Sequence, residues 1–222
     1  MIIAIANTKG GCCKTTTAVN LAAELSRREF TIALLDADFQ RTAAKWAQRR
    51  KQQVAAKKIT HRLRFWVSEC ASTCYITTQS HYQKQQIIII DAGGWDSPAM
   101  REAIAAADVL IIPMQPSQPD LEALESLTSI IATAKADLNP DLKPAILLTR
   151  TPTSAQNRET ADARAALADF GLIPVLRSQI RDRPLYRHLF ADGLAAADTR
   201  AAKASAARAE IQLLADEILA MK

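Results

Sequence analysis

A chain of 222 residues can bury one sizeable core and is short for two. Its 49% hydrophobic and 23% charged residues exclude an intrinsically disordered chain, and no apolar run reaches the ~20 residues of a membrane-spanning helix. The formal charge of +5 is unevenly placed, which points to a polyanionic partner, nucleic acid or an acidic membrane surface. Nothing between Asp38 and Glu69 is acidic, while Arg41, Lys45, Arg49, Arg50, Lys51, Lys57, Lys58, Arg62 and Arg64 fall there. A second cluster, Arg177, Arg181, Arg183 and Arg187, is opposed locally by Asp182 alone. The competing reading of the first cluster is a solvated helix face with no partner. Cys12, Cys13, Cys70 and Cys74 do not make a disulfide framework at this size. Cys70 and Cys74 have only His61 and His81 nearby, so small half-buried side chains are preferred to a metal site.

Met1 leads straight into an apolar run, Ile2–Asn7, with no basic segment and cleavage site before it, so a cytoplasmic protein is expected. Apolar residues at Ala18, Leu21, Ala22 and Leu25 predict a helix over 15–28. Thr31–Asp36 reads as a second buried strand and Thr42–Ala56 as a basic helix. Within 59–85, Leu63–Val67 and Tyr75–Thr78 are candidate short strands. The pattern then sharpens: strand Gln86–Asp91, helix Ser97–Ala107, strand Val109–Pro113, helix Asp120–Asp137. Strand Pro144–Thr149, helix Asn157–Phe170 and strand Ile173–Leu176 follow, and helices Pro184–Ala191 and Thr199–Met221 complete the chain. Strands that are continuously apolar belong in a parallel sheet covered on both faces. The expected fold is therefore α/β, a doubly wound, mainly parallel sheet with helices on both faces, as one domain over 1–222. Its ligand should sit at the carboxyl ends of the strands.

Three motifs fall at such ends. Lys9-Gly10-Gly11-Cys12-Cys13-Lys14-Thr15-Thr16 joins the first strand to the first helix. Glycines let a loop curl its N–H groups toward an anion, and the helix N-terminus adds its positive dipole end. In such a loop Lys14 would neutralise phosphates and the Thr15 hydroxyl would ligate Mg²⁺. A glycine turn that merely caps a helix is the plainer alternative, and it weakens once the other two motifs are counted. Asp36-Ala37-Asp38-Phe39-Gln40 closes the second strand with two carboxylates on one side. Ile87-Ile88-Ile89-Ile90-Asp91 is an apolar strand ending in a carboxylate.

Together these resemble the ParA/MinD family of deviant Walker-A ATPases, whose loop pattern is KGGxGKTT; in layout the short ParF-like plasmid-partition branch, without an N-terminal DNA-reading module, is the nearest match. The resemblance covers nearly the whole chain. It implies an ATP hydrolase with ATP and Mg²⁺ as cofactors, weakly active and stimulated by a partner. It implies that Lys9 reaches across a dimer to the partner's ATP, Lys14 grips the β/γ-phosphates, Thr15 binds Mg²⁺ and Thr16 assists at the α-phosphate, within a cradle of Gly10, Gly11, Cys12 and Cys13. Asp38 would position the attacking water, Asp36 would support the metal shell, and Asp91 would hold the Mg²⁺ waters. Residues 111–117 and the region from Tyr186 to Gly193 resemble those of plasmid-partition ATPases too. The implied partners are a second copy on ATP, non-specific DNA met by Arg181, Arg183 and Arg187, and a ParB- or ParG-like adaptor; the implied location is the nucleoid.

Two departures stand out. Cys13 replaces the family's last loop glycine and Phe39 its proline; a Cβ at 13 opposes φ > 0 and is expected to impair nucleotide binding or turnover. Two other branches compete. One uses the same switch to position a carboxysome or chemoreceptor cluster on the nucleoid. The other is a MinD-like membrane cycle, which needs a basic amphipathic C-terminal helix. Here Ile211, Leu214 and Ile218 make an apolar face, but Glu210, Asp216 and Glu217 would repel an anionic bilayer, so the helix is expected to pack on the domain. A redox or metal-delivery role is disfavoured, since no cysteine follows Cys74.

Overall fold

In the computed structural model, residues 1–56, 65–69, 85–154, 157–171 and 173–221 are described. Seven strands among these residues form one sheet: β1 (Ile2–Ile5), β2 (Ile32–Ala37), β3 (Phe65–Glu69), β4 (Ile87–Ala92), β5 (Val109–Met114), β6 (Lys143–Thr151) and β7 (Val175–Arg181). Their order is β3-β2-β4-β1-β5-β6-β7, and every pairing is parallel. Among the described residues, seven α-helices connect and cover them: α1 (Lys14–Arg27), α2 (Thr42–Ala55), α3 (Pro98–Ala106), α4 (Gln118–Asp137), α5 (Glu159–Phe170), α6 (Pro184–Ala191) and α7 (Ser205–Ala220).

The continuous apolar runs have a simple cause. Successive side chains of a strand point to opposite faces, and here both faces are covered. Ala4, Leu35, Ile90 and Ile112 pack on one side with Met100 and Ile104 of α3 and Leu127 of α4. Ile3, Ile5, Leu34, Ile89 and Ile111 pack on the other with Leu21 of α1, Trp46 of α2 and Leu214 of α7. The parallel register brings all the strand ends to one edge, with Asp91 opposite both Ile5 and Asp36.

The expected fold class is observed, with local differences. β3 starts two residues after the expected Leu63, and Tyr75–Thr78 lies outside the described residues. β7 continues to Arg181, past the expected end at Leu176. Its polar outer residues hid it from an apolar-run criterion: Arg177 N and Ser178 N donate to Glu217 at 2.7 and 2.8 Å, and Arg164 donates to the carbonyls of Leu176 and Arg177. The last helix is shorter than expected, because residues 202–204 form a separate 3₁₀ turn before α7; another such turn, 196–198, precedes the expected start. Ile211, Leu214 and Ile218 are buried against the domain, as the sequence led us to expect. No described helix is long and apolar enough to cross a membrane.

Candidate functional site

The chain after β1 forms a tight loop before α1 begins at Lys14. Gly11 has φ 75° and Cys13 φ 68°, both left-handed. Cys13 therefore adopts the conformation for which a glycine is suited, at a cost of about 1 to 2 kcal/mol. Lys14 folds back over the loop: it is 7% exposed, and its Nζ donates to Lys9 O at 2.7 Å. The β4–α3 turn closes over it. A Cβ on Gly94 would stand 3.1 Å from Lys14 Nζ and 3.2 Å from Gly10 Cα, so a side chain there would press on the loop.

Beneath this loop lie two carboxylates. Asp36 is fully buried and accepts from Asp38 N (3.1 Å) and Ala44 N (2.8 Å), holding the turn into α2. Burial raises its pKa, while those backbone donors oppose the rise. Asp91 is also fully buried, and neither of its oxygens has a hydrogen-bond partner. Its pKa is pushed up to about 8, first by burial and then by the adjacent Asp36, with Thr15 and Lys14 acting in the opposite direction. Two orphaned carboxylate oxygens beside a threonine hydroxyl offer hard oxygen ligands, which fit a divalent cation such as Mg²⁺. Asp38 is half-buried, and its Oδ1 accepts from Gln40 N at 2.9 Å.

The loop opens onto a cavity of about 680 Å³. Gly10, Gly11, Cys13, Lys14, Thr15, Thr16 and Asp38 line one side; Cys12 is buried beneath the loop. Phe39 and Trp95, 78% and 59% exposed, stand on its rim. Arg150, Ile180, Arg181, Asp182, Arg183, Tyr186 and Arg187 also line it. Lys9 is not in the lining. Its ammonium pairs with Asp120, a buried carboxylate that also accepts from Ser117 Oγ (2.5 Å) and Gln115 N (3.1 Å).

Arg181, Arg183 and Arg187, the residues expected to meet DNA, line the cavity. The cluster is opposed by more than Asp182, because Glu210 of α7 pairs with Arg183. Arg183 Nε and Nη2 lie 2.9 and 2.8 Å from Glu210 Oε1, and Tyr186 OH donates to Glu210 Oε2 at 2.9 Å. Burial and that carboxylate hold the Tyr186 phenol protonated. Arg187 pairs with Asp182 at 2.8 Å on the surface. Likewise in α2, Arg50 is buried and pairs with Asp198 at 2.6 and 2.7 Å. Arg49 donates to Phe190 O and lies over the Phe190 ring. Lys45 and Lys51 are exposed. Lys57, Lys58, Arg62, Arg64, Cys70, Cys74, His61 and His81 lie outside the described residues.

Sequence reasoning missed Asp120, Arg150 and Glu210. Ser117-Gln-Pro-Asp120 carries the serine-to-acid spacing of a helix start, a signal that could have drawn attention to Asp120. Arg150 and Glu210 carry no local signal.

Comparison with known proteins agrees with this geometry. Residues 3–194 match the family model for the CobQ/CobB/MinD/ParA nucleotide binding domain. The chain is 30% identical to maintenance of carboxysome distribution protein A from Gloeobacter kilaueensis, over 98% of this chain and 93% of that one. It is 25% identical to protein ParA of Rhizobium radiobacter, over 86% and 83%. The ATP complex of an aspartate-to-alanine variant of Cyanothece McdA has the same fold, with a TM-score of 0.77 at 17% identity, covering 100% of this chain and 96% of that one. The chain belongs to the CobQ/CobB/MinD/ParA nucleotide-binding family, among its ParA-like partition ATPases.

Proposed function

We propose that the chain is a single-domain ATPase that dimerises on binding Mg·ATP, holds DNA without reading its sequence, and is released when an adaptor protein stimulates hydrolysis. The observation that carries this reading is Asp91: a fully buried carboxylate with both oxygens unpartnered, acted on by Thr15 and Lys14 at the end of the glycine loop. Lys14 and the loop N–H groups would hold the β/γ-phosphates. Thr15 and Asp91, with Asp36 behind them, would hold Mg²⁺, which when bound neutralises phosphate charge. Asp38, open to the cavity, would position water. Lys9 would exchange Asp120 for the partner's nucleotide. Arg181, Arg183 and Arg187 would meet the DNA, Arg187 being exposed and the other two half-buried. The expected location is the nucleoid.

A second cargo has specific support. The relative at 30% identity over 98% of this chain is a carboxysome distribution protein. The same ATP cycle would then move a protein body along DNA instead of a plasmid.

Light scattering on a sizing column, with ATP and with ADP, tests the switch. A dimer with ATP and a monomer with ADP are expected, with fluorescence anisotropy showing equal affinity for two unrelated duplexes and steep salt dependence. The same mass and DNA affinity in both nucleotide states would defeat the reading.

A further inference from the structure

The phosphate loop is braced by side chains outside its own motif. Thr149, in β6, is completely buried, and its Oγ1 lies 3.1 Å from Cys12 O and 3.2 Å from Met114 O. Gln115 Nε2 reaches Gly11 O at 3.4 Å, and Lys14 Nζ takes Lys9 O at 2.7 Å. Three loop carbonyls are thus turned toward side-chain donors. A trans peptide is planar, with its C=O and N–H pointing in opposite directions, and no cis bond occurs in the described residues. Turning the Cys12 carbonyl toward Thr149 therefore points the Cys13 N–H away from the Thr149 hydroxyl, and Cys13 is a residue of the cavity lining. Cys13 is also the loop residue whose Cβ opposes its own left-handed backbone, φ 68°.

We propose that Thr149 is a positioning residue for this anion-binding loop: its hydroxyl fixes the Cys12–Cys13 peptide, holds Cys13 left-handed and presents its N–H to a nucleotide phosphate. The proposal rests on the nucleotide reading above. A glycine at this position would reach the conformation unaided; a cysteine needs the strut. The hydroxyl has one proton to give. Its sharing between a loop carbonyl and a β5 carbonyl ties the loop to two neighbouring strands.

The test is a cycle of Thr149→Val and Thr149→Ser, each in the native and Cys13→Gly backgrounds. It reads Mg·ATP affinity by calorimetry, melting temperature, and iodoacetamide alkylation of buried Cys12 by peptide mass mapping without nucleotide. Thr149→Val should weaken affinity about tenfold, the scale of one lost buried hydrogen bond, but less than about twofold in the Cys13→Gly background. It should also speed Cys12 alkylation. Thr149→Ser should restore both. Equal affinity losses in the two backgrounds, or unchanged affinity in Thr149→Val, would make Thr149 an ordinary core residue and overturn the proposal. If no variant bound nucleotide, wild type included, while alkylation followed the expected pattern, the nucleotide reading would fail and the strut would stand.

Discussion

One stretch of the cavity wall comes from a single loop and helix start, Gly10 to Thr16 with Cys12 buried behind it; another stretch gathers Arg150 from β6 with residues 180–187 of β7 and α6. The first stretch gets its geometry from its own chain, since glycines, a helix start and a folded-back Lys14 determine where each N–H points. The second gets its charge balance from elsewhere. Glu210 reaches Arg183 from α7, and in the neighbouring α2 Asp198 reaches Arg50 across 148 residues of sequence. A run of arginines in sequence is therefore not a positive surface until the partners that the fold supplies have been counted.

Experiments can press on each side of this contrast. On the loop side the largest effect belongs to Asp91. Its folded pKa of about 8 lies far above the ordinary unfolded value of about 3.9. Between those values the folded chain binds a proton that the unfolded chain releases, so stability is fullest below the unfolded pKa and is lost as pH rises through the folded one. Thermal melts of metal-free protein should fall from pH 5 to pH 8, and those of Asp91→Asn should fall less, the slope that remains coming from the raised Asp36. A native profile as flat as that of the variant would show Asp91 to be ordinary.

On the far side, the buried Arg50–Asp198 pair should be costly to break. Arg50→Ala is expected to lose about 3–5 kcal/mol in urea unfolding, because Asp198 is left buried and unpaired. Arg183→Ala should lose less, about 1–3 kcal/mol, since Glu210 keeps Tyr186 as a donor. Arg187→Ala, breaking an exposed pair, should cost under about 1 kcal/mol. Unchanged stability in Arg183→Ala combined with lost DNA affinity would assign that residue to a DNA face rather than to the Glu210 pair.

The same contrast explains what the sequence disclosed. The strands β1, β2, β4, β5 and β6 were legible because burial on both faces demands unbroken apolar runs. Only the apolar start of β7 was legible: its outer polar positions are satisfied by Glu217 and Arg164, whose proximity no local pattern encodes. Lys14, Thr15, Asp38 and Asp91 were readable from their places after strands. The left-handed Cys13 was foreseeable too, because a position that suits glycine keeps its geometry when another residue occupies it. Asp120 was harder: its role as counter-ion to Lys9 depends on β1 and β5 being neighbours, a fact of topology. Arg150 reaches the cavity for the same reason.

The central claim is that the loop and the orphaned Asp91 together make a Mg·ATP site. Calorimetric titration of ATP at pH 8, with Mg²⁺ and with EDTA, tests it in wild type and Lys14→Ala. The expected result is Mg²⁺-dependent binding in the wild type and a loss of about a hundredfold or more in Lys14→Ala, the scale of removing one partner from a buried charge contact. Binding of equal strength with and without Mg²⁺, or undiminished in Lys14→Ala, would contradict it.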